Sequence, residues 1–241
     1  MAARIREGIN MGCKSSTQKE IKSKINEVKF HPDNLVETGM IQYFYHSPSS
    51  KLPIRDVLNE LKQGHKTEPH IEIGAENFLN PCYQPNIKKF AHSKDKYLFL
   101  ITTCRNKEIN EVFGKNKTNQ FIVGYIIKNR ILKIDEKRYC IKGQTFIYSF
   151  HDSISVKDLF GKNFAQSENK GKNLSLMRDV FIDNQKTSDI LIHFKNRTNI
   201  LKKCIKEIIE LDQRNPNDKK TCRVLRGLEC DFKEECMRWK V

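Results

Sequence analysis

Short runs of aromatic and β-branched residues dominate the middle of the chain and predict a sheet. The first two runs read MIQYFYH over 40–46 and YLFLITT over 97–103, and each has the length of a strand. Further runs follow at 121–127, 130–134, 138–141, 145–150 and 189–194. Turn-type residues separate most of the middle runs, which favours an antiparallel sheet closed into a small barrel. Gly124, inside one run, predicts a bulge or a tight bend.

Apolar residues at helical spacing predict helices beside this sheet. One set lies between Pro53 and Gly64 and comprises Ile54, Val57, Leu58 and Leu61. A second set, over 199–211, comprises Ile200, Leu201, Ile205, Ile208 and Ile209. A short helical turn is predicted over 153–160. The sequence therefore predicts an α+β fold: a central antiparallel β-barrel or strongly bent sheet with packed helices and a Cys-bearing C-terminal helical tail.

The same pattern divides the chain into three parts. Residues 1–30 form a polar, basic N-terminal segment with weak helical periodicity. The α+β core with its barrel is predicted over 31–198, and the C-terminal helix with a cysteine-rich tail over 199–241. The total length of 241 residues suits one large domain or two small ones.

The charge balance indicates the kind of partner. Lys and Arg number 44 against 29 Asp and Glu, a formal net charge of +15. Such an excess does not favour the compact state, because like charges repel, but it attracts polyanions and above all nucleic acid. Solvated Lys faces without a specific role, and acidic membrane or protein partners, are the alternatives.

The apolar runs are too short to cross a membrane. None approaches the roughly 20 residues that a spanning helix needs, and the first thirty residues lack the apolar stretch of a signal peptide. We therefore expect a soluble, cytoplasmic (intracellular) protein with no membrane span. In such a compartment the eight cysteines are mostly reduced thiols or metal ligands.

Half of the cysteines lie near the end of the chain, at Cys204, Cys222, Cys230 and Cys236. Four thiolates can hold a tetrahedral zinc ion or a [4Fe–4S] cluster. The spacing lacks the Cys-x-x-Cys pair of zinc ribbons, while wide, uneven gaps occur where an iron–sulfur cluster fastens the tail of a nucleic-acid enzyme. The sequence predicts a metal or cluster site here, with ordinary thiols or disulfides as the alternatives.

Aromatic residues alternate with basic ones along the predicted strands. Bases stack on aromatic faces while Lys and Arg contact phosphates. The stacking candidates are Tyr43, Tyr45, Tyr125 and Tyr148. The phosphate candidates are Arg105, Lys128, Arg130 and Arg138. Because side chains alternate along a strand, about half of the aromatic residues should point into the core instead.

Other candidate chemistry receives less support. The chain has no phosphate-binding Gly-rich loop, dinucleotide fingerprint or Gly-x-Ser-x-Gly elbow. Cys104 would need a neighbouring base to act as a nucleophile, so a buried thiol at the end of a strand is favoured. Asp56 and Glu72 loosely resemble the acidic residues of metal-dependent nucleases, but Gly74 stands where Lys would complete that motif. No catalytic residue is assigned.

Four stretches carry a resemblance to a known superfamily: YLFLITT at 97–103, FIVGYII at 121–127, YCIKG at 139–143 and FIYSF at 146–150. Together, over 97–160 and about a quarter of the chain, they resemble the small β-barrels of the PUA-like superfamily, with its EVE, ASCH, YTH and nucleotide-modification-associated types. The resemblance implies an aromatic-lined pocket that reads a single extruded or modified base. No diagnostic motif aligns, so no pocket residue is carried over.

The combined prediction is a protein that binds nucleic acid, DNA or RNA, and reads a modified or flipped base in a barrel pocket. One alternative is a nucleic-acid-processing enzyme, a nuclease or a base-modifying enzyme, with a structural C-terminal metal or iron–sulfur site. A second alternative is a protein–protein adaptor whose positive charge only maintains solubility.

Overall fold

The structure is a computed structural model that describes most of the predicted core. The described residues are 26–27, 30–54, 71–72, 78–82, 85–114, 119–133, 139–163, 181–204 and 206–207.

A single mixed sheet organises this part of the chain. Its strands are β1 (Asn26–Glu27), β2 (Val36–Phe44), β3 (Ile71–Glu72), β4 (Phe78–Cys82), β5 (Asp95–Thr103), β6 (Gln120–Lys133), β7 (Tyr139–Ile147), β8 (Ile154–Ser155) and β9 (Phe181–Ile182). They run β3-β4-β7-β6-β5-β2-β9 across the sheet, and β1 and β8 also pair with β6. The helices are α1 (Pro85–His92), α2 (Lys107–Val112), α3 (Val156–Phe160) and α4 (Asn184–Phe194), and a 3-10 turn covers Pro32–Asn34. The predicted α+β class is confirmed.

The sheet is open, so the predicted closed barrel or strongly bent sheet is wrong. Closing the antiparallel run β5-β6-β7 would require β7 to pair with β5. The outer edge of β5 is instead occupied by β2, which runs parallel to it, from Met40 opposite Leu98 to Phe44 opposite Thr102. The outer edge of β7 is occupied by β4. Both edges that closure would join are therefore already paired.

Two predicted turns lie inside continuous strands. The runs on either side of Asn129 merge into β6, whose pairing with β7 shifts register at that residue. The runs on either side of Gly143 merge into β7. The irregularity predicted at Gly124 is confirmed, because the pairing of β6 with β5 shifts register immediately after Leu100, its opposite residue.

The run at 189–194, predicted as a strand, belongs to helix α4. The Asp183 side chain accepts a 2.8 Å hydrogen bond from the Lys186 amide and caps the first turn. Thr187, Ile190 and Phe194 are buried at helical spacing. A short apolar run fits the period of a strand and that of a helix, and the capped first turn upstream favours the helix.

Apolar residues pack on both faces of the sheet. Along β5, Leu98 and Leu100 belong to the cluster that includes Phe90 of α1. Phe99 and Ile101 belong to the cluster that includes Phe194 of α4. Burial on both faces explains why β5 reads as a nearly continuous apolar run.

The remaining helix predictions have mixed outcomes. The short turn predicted over 153–160 is confirmed as α3. The helix predicted over 199–211 is helical at 201–204 and 206–207; residues 199 and 200 are not helical, and 205 and 208–211 lie outside the described residues. The helix predicted after Pro53 lies outside them from residue 55 onward, as do residues 1–25. Within the described ranges, no helix is long and apolar enough to span a membrane.

Candidate functional site

The carboxyl ends of β2 and β5 meet at one edge of the sheet, because these two neighbouring strands are parallel. Strand β7 ends at the same edge, since it runs antiparallel to β6 as β5 does. Ligands commonly bind beyond the carboxyl ends of parallel strands, where the chain leaves the sheet. Here it leaves β2 at Tyr45 and His46, and β5 at Cys104 and Arg105.

Two of the predicted nucleic-acid contacts touch each other at this edge. The guanidinium carbon of Arg105 lies 4.8 Å from the centre of the Tyr45 ring, and both side chains are half-buried. A guanidinium is attracted to the negative face of an aromatic ring. Tyr43 meets Tyr45 edge-on, with ring centres 5.4 Å apart, and its hydroxyl donates a 3.0 Å hydrogen bond to Thr103 Oγ1. Tyr43, Tyr45 and Arg105 therefore form one cluster.

The Arg105 cation is not neutralised within the described part of the chain. No carboxylate among those residues forms an ion pair with its guanidinium. Lys51, an exposed lysine in the loop after β2, pairs with Glu108 of α2. Lys107, also exposed, is the first residue of α2. The edge thus presents a planar cation backed by an aromatic ring, a combination suited to phosphate and to stacked bases.

His46 connects the two strand ends beneath this cluster. Its side chain is fully buried. Its Nδ1 accepts a 2.9 Å hydrogen bond from the Arg105 amide, and its Nε2 donates one of 2.8 Å to the Leu52 carbonyl oxygen. These partners define the neutral tautomer with the proton on Nε2. Burial, assisted by the nearby Arg105 cation, lowers the pKa of His46 to about 4.

Asn106 makes a second connection between the same segments. Its amide nitrogen donates a 3.1 Å hydrogen bond to the Pro48 carbonyl oxygen. Its side-chain oxygen accepts one of 3.1 Å from the Ile109 amide and so caps α2. The loop after β2 and the turn after β5 are therefore bonded to each other at Arg105 and at Asn106.

Lys128, predicted to contact phosphate, lies in the interior. Its side chain is 4% exposed, and its amine donates hydrogen bonds to the carbonyl oxygens of Phe90 and Ser93. The structure does not bring this amine to the surface. Arg130 is half-buried near the opposite end of β6, away from the carboxyl edge. Arg138 lies outside the described residues.

Tyr125 and Tyr148 pack on the face of the sheet that α4 covers. The Tyr148 ring is 3% exposed and stacks on Phe194, with centres 4.1 Å apart and planes 5° apart. Tyr125 is half-buried and stacks on Phe146 at 4.9 Å. Burial raises the pKa of both phenols. The Tyr148 ring thus belongs to the core, whereas Tyr125 is only partly buried.

The thiols of Cys104 and Cys204 are buried. Burial raises the pKa of Cys104 to about 11, which opposes a nucleophilic role. Cys204 is fully buried in the cluster with Ile200, and burial, together with the negative charge of Glu207, raises its pKa to about 12. The other three predicted metal ligands, Cys222, Cys230 and Cys236, lie outside the described residues. Among the residues that are described, no three potential metal ligands cluster.

Sequence reasoning did not assign His46 or Asn106 to the site. The signal for His46 was weak: a histidine directly after an aromatic strand and before a Ser-Pro turn. Its partner, Arg105, is 59 positions away along the chain. No local pattern connects positions so far apart.

Comparison of the chain with protein-family models, curated proteins and solved structures finds no match.

Proposed function

We propose that this protein binds nucleic acid at the carboxyl edge of β2 and β5, with Tyr45 and Arg105 as its contact pair. The observation that carries the proposal is the Arg105 guanidinium lying over the Tyr45 ring at a strand edge, with no ion-pair partner among the described residues. The net charge of +15 supports the same class of partner.

The pair suits two parts of a nucleotide. The guanidinium has planar donors that match the oxygens of a phosphate. The neighbouring rings of Tyr45 and Tyr43 have the aromatic character on which bases stack, at a cost of about 1–3 kcal/mol per base when the ring is removed. An unstacked base, whether flipped from a duplex or part of a single strand, exposes the face that such stacking needs. The proposal therefore includes recognition of a flipped or modified base.

The test is fluorescence anisotropy with labelled single-stranded DNA, single-stranded RNA and duplex DNA at several salt concentrations. We expect binding that weakens with salt, and an affinity about tenfold lower in Arg105→Gln, with a salt slope smaller by about one phosphate contact. Lys94→Gln is the matched control, because it removes the same charge from an exposed side chain at the opposite edge of the sheet. Equal losses in both variants would reduce the effect to overall charge and contradict the proposed site.

Substitutions at Tyr45 separate the contribution of ring stacking to binding from the contribution of charge. Tyr45→Phe keeps the ring and should bind like the original protein, whereas Tyr45→Leu should lose roughly 1–2 kcal/mol of binding. The labelled strand, recovered after incubation and run on a denaturing gel, should be intact. A cut or modified strand would replace the binding function with the enzyme alternative, and absence of salt-dependent binding would favour the adaptor alternative.

A further inference from the structure

We infer that His46 is a positioning residue that holds Arg105 in its ligand-binding direction, an inference that rests on the proposed function. Arg105 lies beyond Thr103, the last residue of β5, so the strand ladder does not hold it. Its backbone amide instead donates to His46 Nδ1 at 2.9 Å. This bond connects the residue that carries the guanidinium to the chain segment that carries the Tyr45 ring.

His46 is itself held in one orientation. Its ring is fully buried, its second nitrogen donates to the Leu52 carbonyl oxygen at 2.8 Å, and its ring meets Phe150 edge-on at 4.8 Å. A buried side chain with both polar atoms bonded and a packed ring has little freedom to rotate. His46 therefore transmits the position of the loop after β2 to the Arg105 backbone.

Accurate placement matters for a planar cation. A guanidinium forms two parallel hydrogen bonds with a phosphate only when its plane and distance are correct, and a displacement of about 1 Å in a supporting residue can weaken a site strongly. Release of the Arg105 amide would allow the guanidinium to leave the Tyr45 ring, where it now lies at 4.8 Å. The positive charge would remain, but the guanidinium would no longer be held in a fixed orientation.

Two substitutions separate this role from simple packing. His46→Asn places an amide oxygen near the Nδ1 position, so it retains an acceptor for the Arg105 amide and loses the bond to Leu52. His46→Gln places an amide nitrogen near the Nε2 position, so it retains a donor for Leu52 and loses the bond to Arg105. Each variant loses one of two hydrogen bonds, so the two should lose similar stability.

The experiment measures thermal unfolding and affinity for a labelled single-stranded oligonucleotide in both variants. We expect His46→Asn to bind within about threefold of the original protein and His46→Gln to bind about tenfold or more weakly, at similar melting temperatures. Hydrogen exchange of the Arg105 amide, followed by NMR without ligand, should be slow in the original protein and in His46→Asn, and faster in His46→Gln. Equal binding by the two variants would overturn the inference.

The outcomes for the two proposals are distinguishable. If the original protein binds no oligonucleotide, the proposed function fails and this inference fails with it. If it binds and Arg105→Gln weakens it, but the two His46 variants do not differ, only the positioning role fails. If both His46 variants fail to fold, a scalar coupling across the N–H···N bond in the original protein decides: its presence supports the inference and its absence overturns it.

Discussion

The Lys128 amine, on β6, donates a 2.7 Å hydrogen bond to the carbonyl oxygen of Phe90 and lies 4.1 Å from the centre of the same residue's ring. A second hydrogen bond, of 3.0 Å, reaches the Ser93 carbonyl oxygen just beyond α1. Carbonyl groups at the end of a helix lack partners within the helix and attract cations. Lys128 therefore joins the centre of the sheet to the end of α1, although burial lowers the pKa of its amine to about 8.

Replacing Lys128 should destabilise the fold. Lys128→Met keeps the apolar stem but leaves the Ser93 carbonyl group without its donor and removes one of the hydrogen bonds that the Phe90 carbonyl oxygen accepts, so we expect a loss of about 1–3 kcal/mol in the free energy of unfolding. Urea unfolding followed by circular dichroism measures it. The exposed Lys94→Met variant is the control and should change stability by less than about 0.5 kcal/mol. Equal effects in the two variants would contradict a stabilising role for the Lys128 hydrogen bonds at the end of α1.

His46 should make stability depend on pH below neutrality. Its pKa in the folded state is about 4, against an ordinary value of 6.5, so the unfolded chain takes up its proton first. Stability is therefore complete above pH 6.5 and decreases as the pH falls from about 6.5 to about 4, by at most roughly 3 kcal/mol.

Unfolding midpoints of the original protein and of His46→Asn, measured over this pH range, check the prediction. The other histidines titrate in both proteins, so the difference between the two curves isolates His46. We expect the stability advantage of the original protein to shrink as the pH falls. A constant difference would show that His46 is not held neutral in the folded protein.

Gly124 should tolerate no side chain. A Cβ atom there would overlap the Phe146 carbonyl oxygen on the paired strand, and backbone cannot move aside as a flexible side chain can. Gly124→Ala should therefore cost about 2 kcal/mol or more in the free energy of unfolding. Asn129→Ala, at an exposed position of the same strand, is the control and should change it by less than about 0.5 kcal/mol.

The four-cysteine site remains a prediction that metal analysis can decide. Protein purified without oxygen should contain about one zinc, or about four iron and four sulfide, per chain. A free Cys204 thiol, with its pKa near 12, stays protonated at neutral pH, whereas a bound metal would deprotonate it. Cys204→Ser and the double variant Cys230→Ser/Cys236→Ser should lose the metal, while the buried control Cys104→Ser should keep it. Metal-free protein would reduce these cysteines to ordinary thiols.

The sequence by itself determined the α+β class and the irregularity at Gly124, and it named three residues that the structure brings together in one cluster. Each follows from neighbouring residues: an apolar run, a glycine within a strand, aromatic and basic residues at strand ends. Tyr43, Tyr45 and Arg105 could be listed in this way, but so could Lys128 and Tyr148, because the strand pattern does not distinguish an inward residue from an outward one until the packing partners are known.

Tertiary structure alone decided that the sheet stays open, that 189–194 is helical, and that His46 bonds to Arg105. The parallel pairing of β2 with β5 joins segments separated by a long connection, and this pairing occupies the edge that a barrel would need for closure. The same pairing brings Tyr45 beside Arg105 and His46 beneath them. Hydrogen bonds and packing between distant segments depend on which strands become neighbours, and no local period in the chain encodes that choice.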